Sequence, residues 1–428
     1  MSRIPALLGG SPVRQSPFPA YPVLGNEERE AVLEVLKEGR LSTFTASPGE
    51  YFSGGKRIKA FESEFAAFHR VKHAVAFNSA TAALHSAVVA LGIEPGQEII
   101  TSPYTFTSSA TCALMHNAIP VFADVERDTF CLDPVSVRKA ITPLTRAIIP
   151  VHLFGHPAAM DSIMEMAREH NLKVIEDCAQ APGALYKEQR VGTIGDCGVF
   201  SFQESKNIMT GEGGMLITNI DDVAEIARLV RNHGEAIADA MQERSYASEI
   251  LGYNYRMTEF EAALGRVQLS HLEEWNAVRQ KLAAHLSKEL REIPGILPPA
   301  VSKEATHVYY VYPFLFDENR AGIPRDLFAA ALQAEGIPVG VGYVRPLYFS
   351  PIFQNRRTFA FKHYQGNARY TPGLCPVAED LHFRKLLLFP VVRPPATLDD
   401  MNDILTAVKK TIDAREALLT KTTSPPGK

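Results

Sequence analysis

Between residues 73 and 218, short apolar runs alternate with amphipathic ones. HAVAF (73–77), QEIITS (97–102), IPVFADV (119–125), RAIIPVHLFG (146–155), KVIEDC (173–178) and CGVFSF (197–202) read as strands. Between them, ATAALHSAVVALG (80–92), FTSSATCALMHNA (106–118) and AAMDSIMEMAREHN (158–171) carry helical spacing. Apolar strands alternating with helices predict βαβ units around a mostly parallel mixed sheet covered on both faces. Upstream, Asn26 caps a predicted helix through EEREAVLEVLKEG, STFTASPGEYFSGG (42–55) is a connection, and KAFESEFAAFHR (59–70) is helical. Downstream the pattern changes. Residues 258–293 form one long helical stretch, HVYYVYPFLF (307–316) reads as a strand, and PRDLFAAALQAEG (324–336) and TLDDMNDILTAVKKTIDARE (397–416) as helices.

The expected organisation is α/β: a large domain over 14–270 and a smaller α+β domain over 271–415. Residues 1–25 could pack on either, and 416–428 are expected to be a disordered tail. Composition narrows the function classes. The 428 residues carry a net charge of −4 with 21% charged residues, so no global basic field attracts nucleic acid or anionic membrane. No run reaches the roughly 18 apolar residues of a membrane helix, and MSRIPALLGGSPVRQSPF does not read as a secretory signal. The five cysteines are scattered without a CxxC pair, which fits a reducing, cytoplasmic setting and neither a disulfide framework nor a zinc knuckle.

In open α/β sheets ligands bind beyond the carboxyl ends of the strands, and four stretches lie there. NSATAALH (78–85) opens a helix, where Ser79, Ala80 and Thr81 offer backbone N–H groups and hydroxyls to an anion; the bland alternative is that Ser79 merely caps the helix. SPYTFTSSA (102–110) carries Tyr104 and Phe106, able to stack on a flat heterocycle or simply to pack in the core. In VIEDCAQAPGA (174–184), Glu176 and Asp177 close an apolar strand and point to opposite faces; Asp177, nearer the end, is placed to hold a protonated ring nitrogen or to cap the next turn. Gln180 follows three residues on, within reach of a ring oxygen. In SFQESKNIMTGEGG (201–214), Lys206 precedes its glycines, whereas a phosphate loop of the GxxxxGK[ST] type requires them first. Lys206 is then either a solvated surface charge or a nucleophile for a cofactor aldehyde. Anion site, aromatic, acid and lysine together are the parts that pyridoxal 5′-phosphate needs.

These stretches, with FESEFAAFHRVKHAVAFNSATAALHSAVVALGI, PVHLFGHPAAMD, NYRMTEFEAALGRVQL and CPVAEDL, resemble the DegT/DnrJ/StrS family of sugar and cyclitol aminotransferases over roughly residues 10–412. The resemblance implies the fold-type-I transferase fold, pyridoxal 5′-phosphate, and a homodimer with sites at its interface. It also implies an amino donor, glutamate or glutamine, and a keto-sugar nucleotide or ketocyclitol acceptor. By this resemblance Lys206 is the cofactor-bonding lysine and proton carrier, Asp177 the ring-nitrogen partner and Gln180 the neighbour of the ring hydroxyl. Phe106 is the stacking aromatic with Tyr104 second, and Ala80, Thr81 and Ser201 are phosphate ligands. Asn254 is the asparagine that reaches the neighbouring subunit's phosphate. Relatives with histidine at the lysine position are dehydratases, and Lys206 argues against that branch. The chain departs from the family pattern at Ala80, at Ala181-Pro182-Gly183, at His156 and at Gln203, differences expected on the substrate side. Arg256, Tyr343 and Arg345 are candidates for an anionic substrate, Arg256 equally for a surface charge or salt bridge, and His152 is a candidate for the cofactor's surroundings or for a hydrogen-bonded place in the core. Tyr309, Tyr310 and His307 are assigned to the core. A dehydratase or synthase of the same family and a non-catalytic regulator are the rival readings. No well-placed GxGxxG supports a dinucleotide enzyme.

Overall fold

The computed structural model describes residues 4–44, 49–236 and 248–423, with side chains to residue 420. Part of the connection expected over 42–55 lies outside the described residues, and so do the last residues of the expected tail. Seven strands form the main sheet: β1 (His73–Phe77), β2 (Glu98–Thr101), β3 (Ile119–Phe122), β4 (Thr145–Ile149), β5 (Lys173–Asp177), β6 (Cys197–Ser201) and β7 (Gly214–Thr218). Their spatial order is β1-β7-β6-β5-β4-β2-β3, and only β7 runs against its neighbours. Strands β1, β2, β6 and β7 are almost fully buried, as their continuous apolar sequences require of a sheet covered on both faces. The expected strand over 146–155 stops at Ile149, because Pro150 has no N–H for the ladder and residues 153–155 turn as a 3₁₀ segment with Phe154 at φ 57°.

Helices α1 (Asn26–Glu38), α2 (Lys56–His69), α3 (Ala80–Ala90), α4 (Ser108–Met115), α5 (Met160–His170) and α6 (Asp221–Arg231) flank the sheet and its approaches. Asn26 is the first helical residue of α1 rather than its cap. Gly25 takes the cap position, and Glu28 folds back to accept its N–H at 2.7 Å. The long helix α7 (Glu259–Leu290) is started by a Thr258–Glu261 capping box and runs from the large sheet to the second core. That core surrounds a four-stranded antiparallel sheet, in the order β8 (Ile296–Leu297), β9 (Tyr312–Phe316), β11 (Leu386–Phe389), β10 (Gly340–Val341), with α8 (Arg325–Ala334) and α9 (Leu398–Asp413).

Three findings differ from the sequence pattern. The run HVYYVYPFLF is a strand only from Tyr312. Tyr309 sits at φ 46°, which breaks extended pairing, and Val308 and Tyr310 instead donate to the carbonyls of Gly155 and Phe154. Residues 347–381, on the far side of the boundary expected at 270, pack into the core beside β3, where Phe122 meets Tyr348, Phe353 and Tyr370. The tail expected to be disordered from 416 is helical as α10 (Arg415–Thr423), because Leu418 is buried against the smaller core. The segment before α1 touches both halves. Ala6 and Val13 donate to Glu335, Arg14 pairs with Asp400 and Asp403, and Tyr21 donates to the carbonyl of Lys206. Among the described residues no helix is long and apolar enough to cross a membrane, and all five cysteines are buried and unpaired.

Candidate active site

The carboxyl ends of β1, β2, β5 and β6 converge on a cavity of about 520 Å³. The structure brings together there Ser79, Ala80, Thr81, Phe106, Asp177, Gln180, Ser201 and Lys206. A more voluminous hollow of about 650 Å³ opens beside His69, Arg70 and Arg190 but contains none of these groups. Two of its cations are already engaged, Arg190 with Glu273 and Lys187 with Asp161, and the groups singled out above lie in the smaller cavity.

The cavity floor begins at α3. Ser79 accepts the N–H of Ala82 at 3.1 Å, so its hydroxyl caps the helix while the first amides of α3 stand at the cavity. Thr81 and Ser108 share a hydroxyl contact of 2.7 Å. Strand β7 approaches this turn so closely that a Cβ on Gly214 would lie 2.4 Å from the Ser79 carbonyl carbon and 2.5 Å from the Ala80 nitrogen. Gly214 therefore makes room for the start of α3 rather than wrapping an anion itself.

The two acids at the end of β5 have opposite fates. Glu176 is fully buried behind the sheet and accepts the N–H groups of Gly192, Ile194 and Gly195 at 2.7–2.8 Å, with His152 Nε2 at 3.1 Å. His152 Nδ1 accepts the Ala158 N–H, so Nε2 carries the proton that it donates to Glu176. His152, Glu176 and Cys178 lie close enough together to suggest a metal site, but the histidine lone pair is already used. His152 is thus a hydrogen-bonded core residue. Asp177 faces the cavity with 3% exposure, accepting the Ser109 hydroxyl at 2.7 Å and the Ala179 N–H at 3.1 Å. No cationic side chain pairs with it among the described residues. A buried carboxylate in that state is favourable only when a positive donor arrives, and a protonated pyridine nitrogen is such a donor.

Lys206 follows β6 on a tight turn. Its N–H donates to the Gln203 carbonyl at 2.9 Å, and its Nζ stands 4.3 Å from the centroid of the Tyr310 ring. Among the described residues this ammonium has no carboxylate partner, so its attraction to the ring face leaves it available to another group. Tyr310 shares a 2.8 Å contact with the Ser205 hydroxyl, which donates to Gln203 Oε1 at 2.5 Å. Tyr310 is therefore a cavity residue, not core. The irregular backbone at 307–311 delivers it, and an alternating strand pattern could not reveal that. Phe106 is 59% exposed at the cavity edge, an aromatic face without a partner. Tyr104 is fully buried, its hydroxyl accepting the Tyr343 N–H at 3.1 Å, and does not line the cavity. Gln180 is engaged at both ends, accepting the Phe154 N–H at 2.8 Å and donating to the Tyr343 hydroxyl at 2.9 Å.

The remaining candidates separate clearly. Tyr343 lines the cavity, and burial pushes its phenol up. Arg256 bonds Asn232 and Arg345 stacks on Phe349, both away from the cavity lining. Asn254 is exposed, paired through its backbone with Asn232, and does not line its own chain's cavity. His156, expected on the substrate side, is buried with Nδ1 on the Pro157 carbonyl and Nε2 accepting the Ser302 N–H, and burial holds it down at about 4. His307 and Tyr309 stack in the core at 3.8 Å. Ser109, which sequence reasoning passed over, was signalled by its place in the TFTSSA stretch, one helical turn beyond Phe106.

Residues 24–409 match the family model for the DegT/DnrJ/EryC1/StrS aminotransferase family. The chain belongs to that family. It is a pyridoxal-phosphate-dependent aminotransferase of fold type I. The chain is 38% identical to the GDP-perosamine synthase of Caulobacter vibrioides, covering 79% of this chain and 87% of that one. It is 36% identical to the L-glutamine:2-deoxy-scyllo-inosose aminotransferase of Streptoalloteichus tenebrarius, covering 95% and 97%. Among solved structures, the aminotransferase from Psychrobacter cryohalolentis superposes with a TM-score of 0.84 at 31% identity, over 94% of this chain and 100% of that chain. The residues of this aminotransferase's cavity fit pyridoxal phosphate on their own chemistry. Among the described residues Asp177 has no cation and Phe106 no stacking partner, and the start of α3 offers amides.

Proposed function

We propose that this aminotransferase moves an amino group from glutamate or glutamine to a keto-sugar nucleotide or a ketocyclitol. The observation that carries the reading is Lys206 in one cavity with Asp177 and the start of α3. The two relatives add the substrate classes, one named for a GDP-linked sugar and the other for glutamine and an inosose.

In this reading the amides of Ala80 and Thr81 and the hydroxyls of Thr81 and Ser201 bind the phosphate. Phe106 stacks on the ring, Gln180 lies by its hydroxyl, and Asp177 accepts the ring N–H. Lys206 bonds the cofactor aldehyde at rest. Bound pyridoxal phosphate supplies an electron-withdrawing ring that acidifies the Cα–H of an attached amino acid. Freed by the donor, the Lys206 amine would take the proton from the donor Cα and return it to the former aldehyde carbon, on the other side of the transferred nitrogen. Tyr310 holds the amine over its ring face, on the cavity side where both carbons must lie. The acceptor takes the amine by the reverse sequence, giving ping-pong kinetics. Exposed Asn254 fits a role at the phosphate of a second subunit, so the working unit is a homodimer. The free, buried cysteines support a cytoplasmic setting.

An absorbance titration tests this. The visible band of the holoenzyme should fall when glutamate or glutamine is added and return with the matching keto acid. Lys206→Ala should lose turnover and the borohydride-reducible bond to the cofactor. An adduct formed at a different lysine in that variant would remove Lys206 from its role.

A further inference from the structure

The hollow of about 650 Å³ beside His69, Arg70 and Arg190 shares no lining residue with the cavity. Its walls come from the end of α2, from positions between 183 and 193, from Asn219, and from Glu273, Asn276, Ala277 and Gln280 on one face of α7. Part of this lining is satisfied. Asn276 donates to the Pro182 carbonyl at 2.9 Å and accepts from Asn207, the residue after Lys206, at 3.0 Å. Arg190 stacks on Phe68 at 3.9 Å and reaches the exposed Glu273 at 2.8 Å. Three other groups are not satisfied. His69 is 3% exposed and packs against Phe65 and Phe200. Its Nδ1 meets the Phe65 carbonyl at 3.1 Å, and a carbonyl only accepts, so Nδ1 carries the proton and Nε2 is an acceptor. That Nε2 is buried without a partner among the described residues. Arg70, exposed where it ends α2 at φ 57°, makes no side-chain hydrogen bond or ion pair among the described residues. Asn219 accepts the Lys72 N–H at 3.0 Å, and its own amide N–H groups have no acceptor among the described residues.

The open positions are of two kinds. Arg70 and the Asn219 amide are donors without an acceptor, and a guanidinium fork matches the oxygens of a phosphate or a carboxylate. His69 Nε2 is an acceptor without an O–H or N–H donor. Burial, with the Arg190 charge, holds His69 down to about 3, so it stays an acceptor at neutral pH. Glu188, also in the lining and without an ion pair among the described residues, is a second acceptor. A bare anion would satisfy only the donors and would meet Glu188 and Glu273. An uncharged polyol would satisfy only the acceptors and leave Arg70 unmatched. A molecule that carries an oxyanion on a frame of hydroxyls satisfies both. The volume lies within the range of small-molecule sites, about 300–1,000 Å³.

We propose that this hollow is a second ligand site, separate from the transamination cavity, that takes a polyhydroxylated organic anion: a sugar phosphate or a sugar acid. Arg70 binds the oxyanion, and His69 Nε2 accepts a hydroxyl. No step of the amino transfer uses these residues, so the assignment stands independently of the donor and acceptor named above.

Calorimetry on the cofactor-loaded enzyme tests this with glucose 6-phosphate, glucuronate, glucose and inorganic phosphate. At least one of the two anionic sugars should bind roughly tenfold or more tightly than glucose and inorganic phosphate. The better of the two identifies the oxyanion as phosphate or carboxylate. Arg70→Gln, a change at an exposed residue, should weaken that binding by roughly tenfold or more, and Arg70→Lys should weaken it less. His69→Phe keeps a ring among Phe65 and Phe200 and should narrow the preference for the anionic sugar over inorganic phosphate. The spectral change with glutamate or glutamine should be the same in wild type and Arg70→Gln. Failure of both anionic sugars to bind would overturn the assignment, and so would affinity unchanged in Arg70→Gln or a preference unchanged in folded His69→Phe. Displacement of the bound sugar by the amino donor would also overturn it, because the sugar would then lie in the cavity.

Discussion

Adjacent residues at the end of β5 open onto two very different regions. Behind the sheet, Glu176 is saturated: three backbone amides and a protonated imidazole nitrogen meet its two oxygens. On the cavity side, Asp177 is held by one hydroxyl and one amide, Phe106 shows an open face, and Lys206 rests on a ring without a counter-ion. The two acids are alike in type and both buried. They differ in whether the partners are already present, and the chemistry belongs to the side where they are not.

Exchanging the two acids for their amides is the strongest way to break this contrast. Asp177→Asn should lower kcat/KM by about 10²–10³-fold, as expected for removing an electrostatic partner of the reacting system, while leaving the unfolding midpoint nearly unchanged. Glu176→Gln should do the reverse. It leaves buried amide donors facing an NH₂ group and should cost about 3 kcal/mol in urea unfolding, with activity per folded molecule retained. A large activity loss without a stability loss at Glu176 would erase the distinction.

Gly214→Ala probes the cavity side itself. Its Cβ cannot coexist with the Ser79–Ala80 backbone as placed. Overpacking of about 1–3 kcal/mol there should appear as roughly tenfold or weaker cofactor binding in a dialysis titration, since the displaced turn lines the cavity.

Buried histidines away from the cavity predict a pH dependence. Burial brings His69 down to about 3 and His156 to about 4, against about 6.5 in an unfolded chain. As pH falls from 6.5 toward 4, the unfolded chain takes up protons that the folded chain refuses, so stability present near neutral pH is lost across that window. The unfolding temperature should drop between pH 7 and 5, and His156→Gln should flatten the curve. The smallest effect is expected at Tyr310→Phe. The ring under Lys206 remains and only the Ser205 contact goes, so kcat should fall by no more than a few-fold; a collapse in rate would mean that the hydroxyl itself moves a proton.

The same contrast explains what the sequence could tell. The strand-end wall was legible because it is built from local pattern: apolar runs stop, and Ser79, Asp177, Ser201 and Lys206 stand just past the stops. The opposite wall was not. Tyr310 hides in a run that alternates like a strand, and only its φ-positive neighbour Tyr309 and hydrogen bonds to residues 154 and 155 turn it inward. Tyr21, Arg279 and Arg393 meet from segments hundreds of residues apart, and no local spacing encodes their meeting. Gln180 was found by its offset from Asp177, but not its second engagement with Tyr343. His156 looked like a substrate residue by position, yet its burial and two backbone partners make it part of the frame.

The segment before α1 has a consequence for how this enzyme is born. Arg14 leaves the ribosome 389 residues before Asp403, the acid with which it pairs. Tyr21, which grips the Lys206 carbonyl, must wait for Arg393 to close over its ring. A nascent chain can therefore complete its large sheet long before the reactive lysine is clamped in place. The turn that carries Lys206 is thus held by a residue whose own cover comes from the far side of the fold.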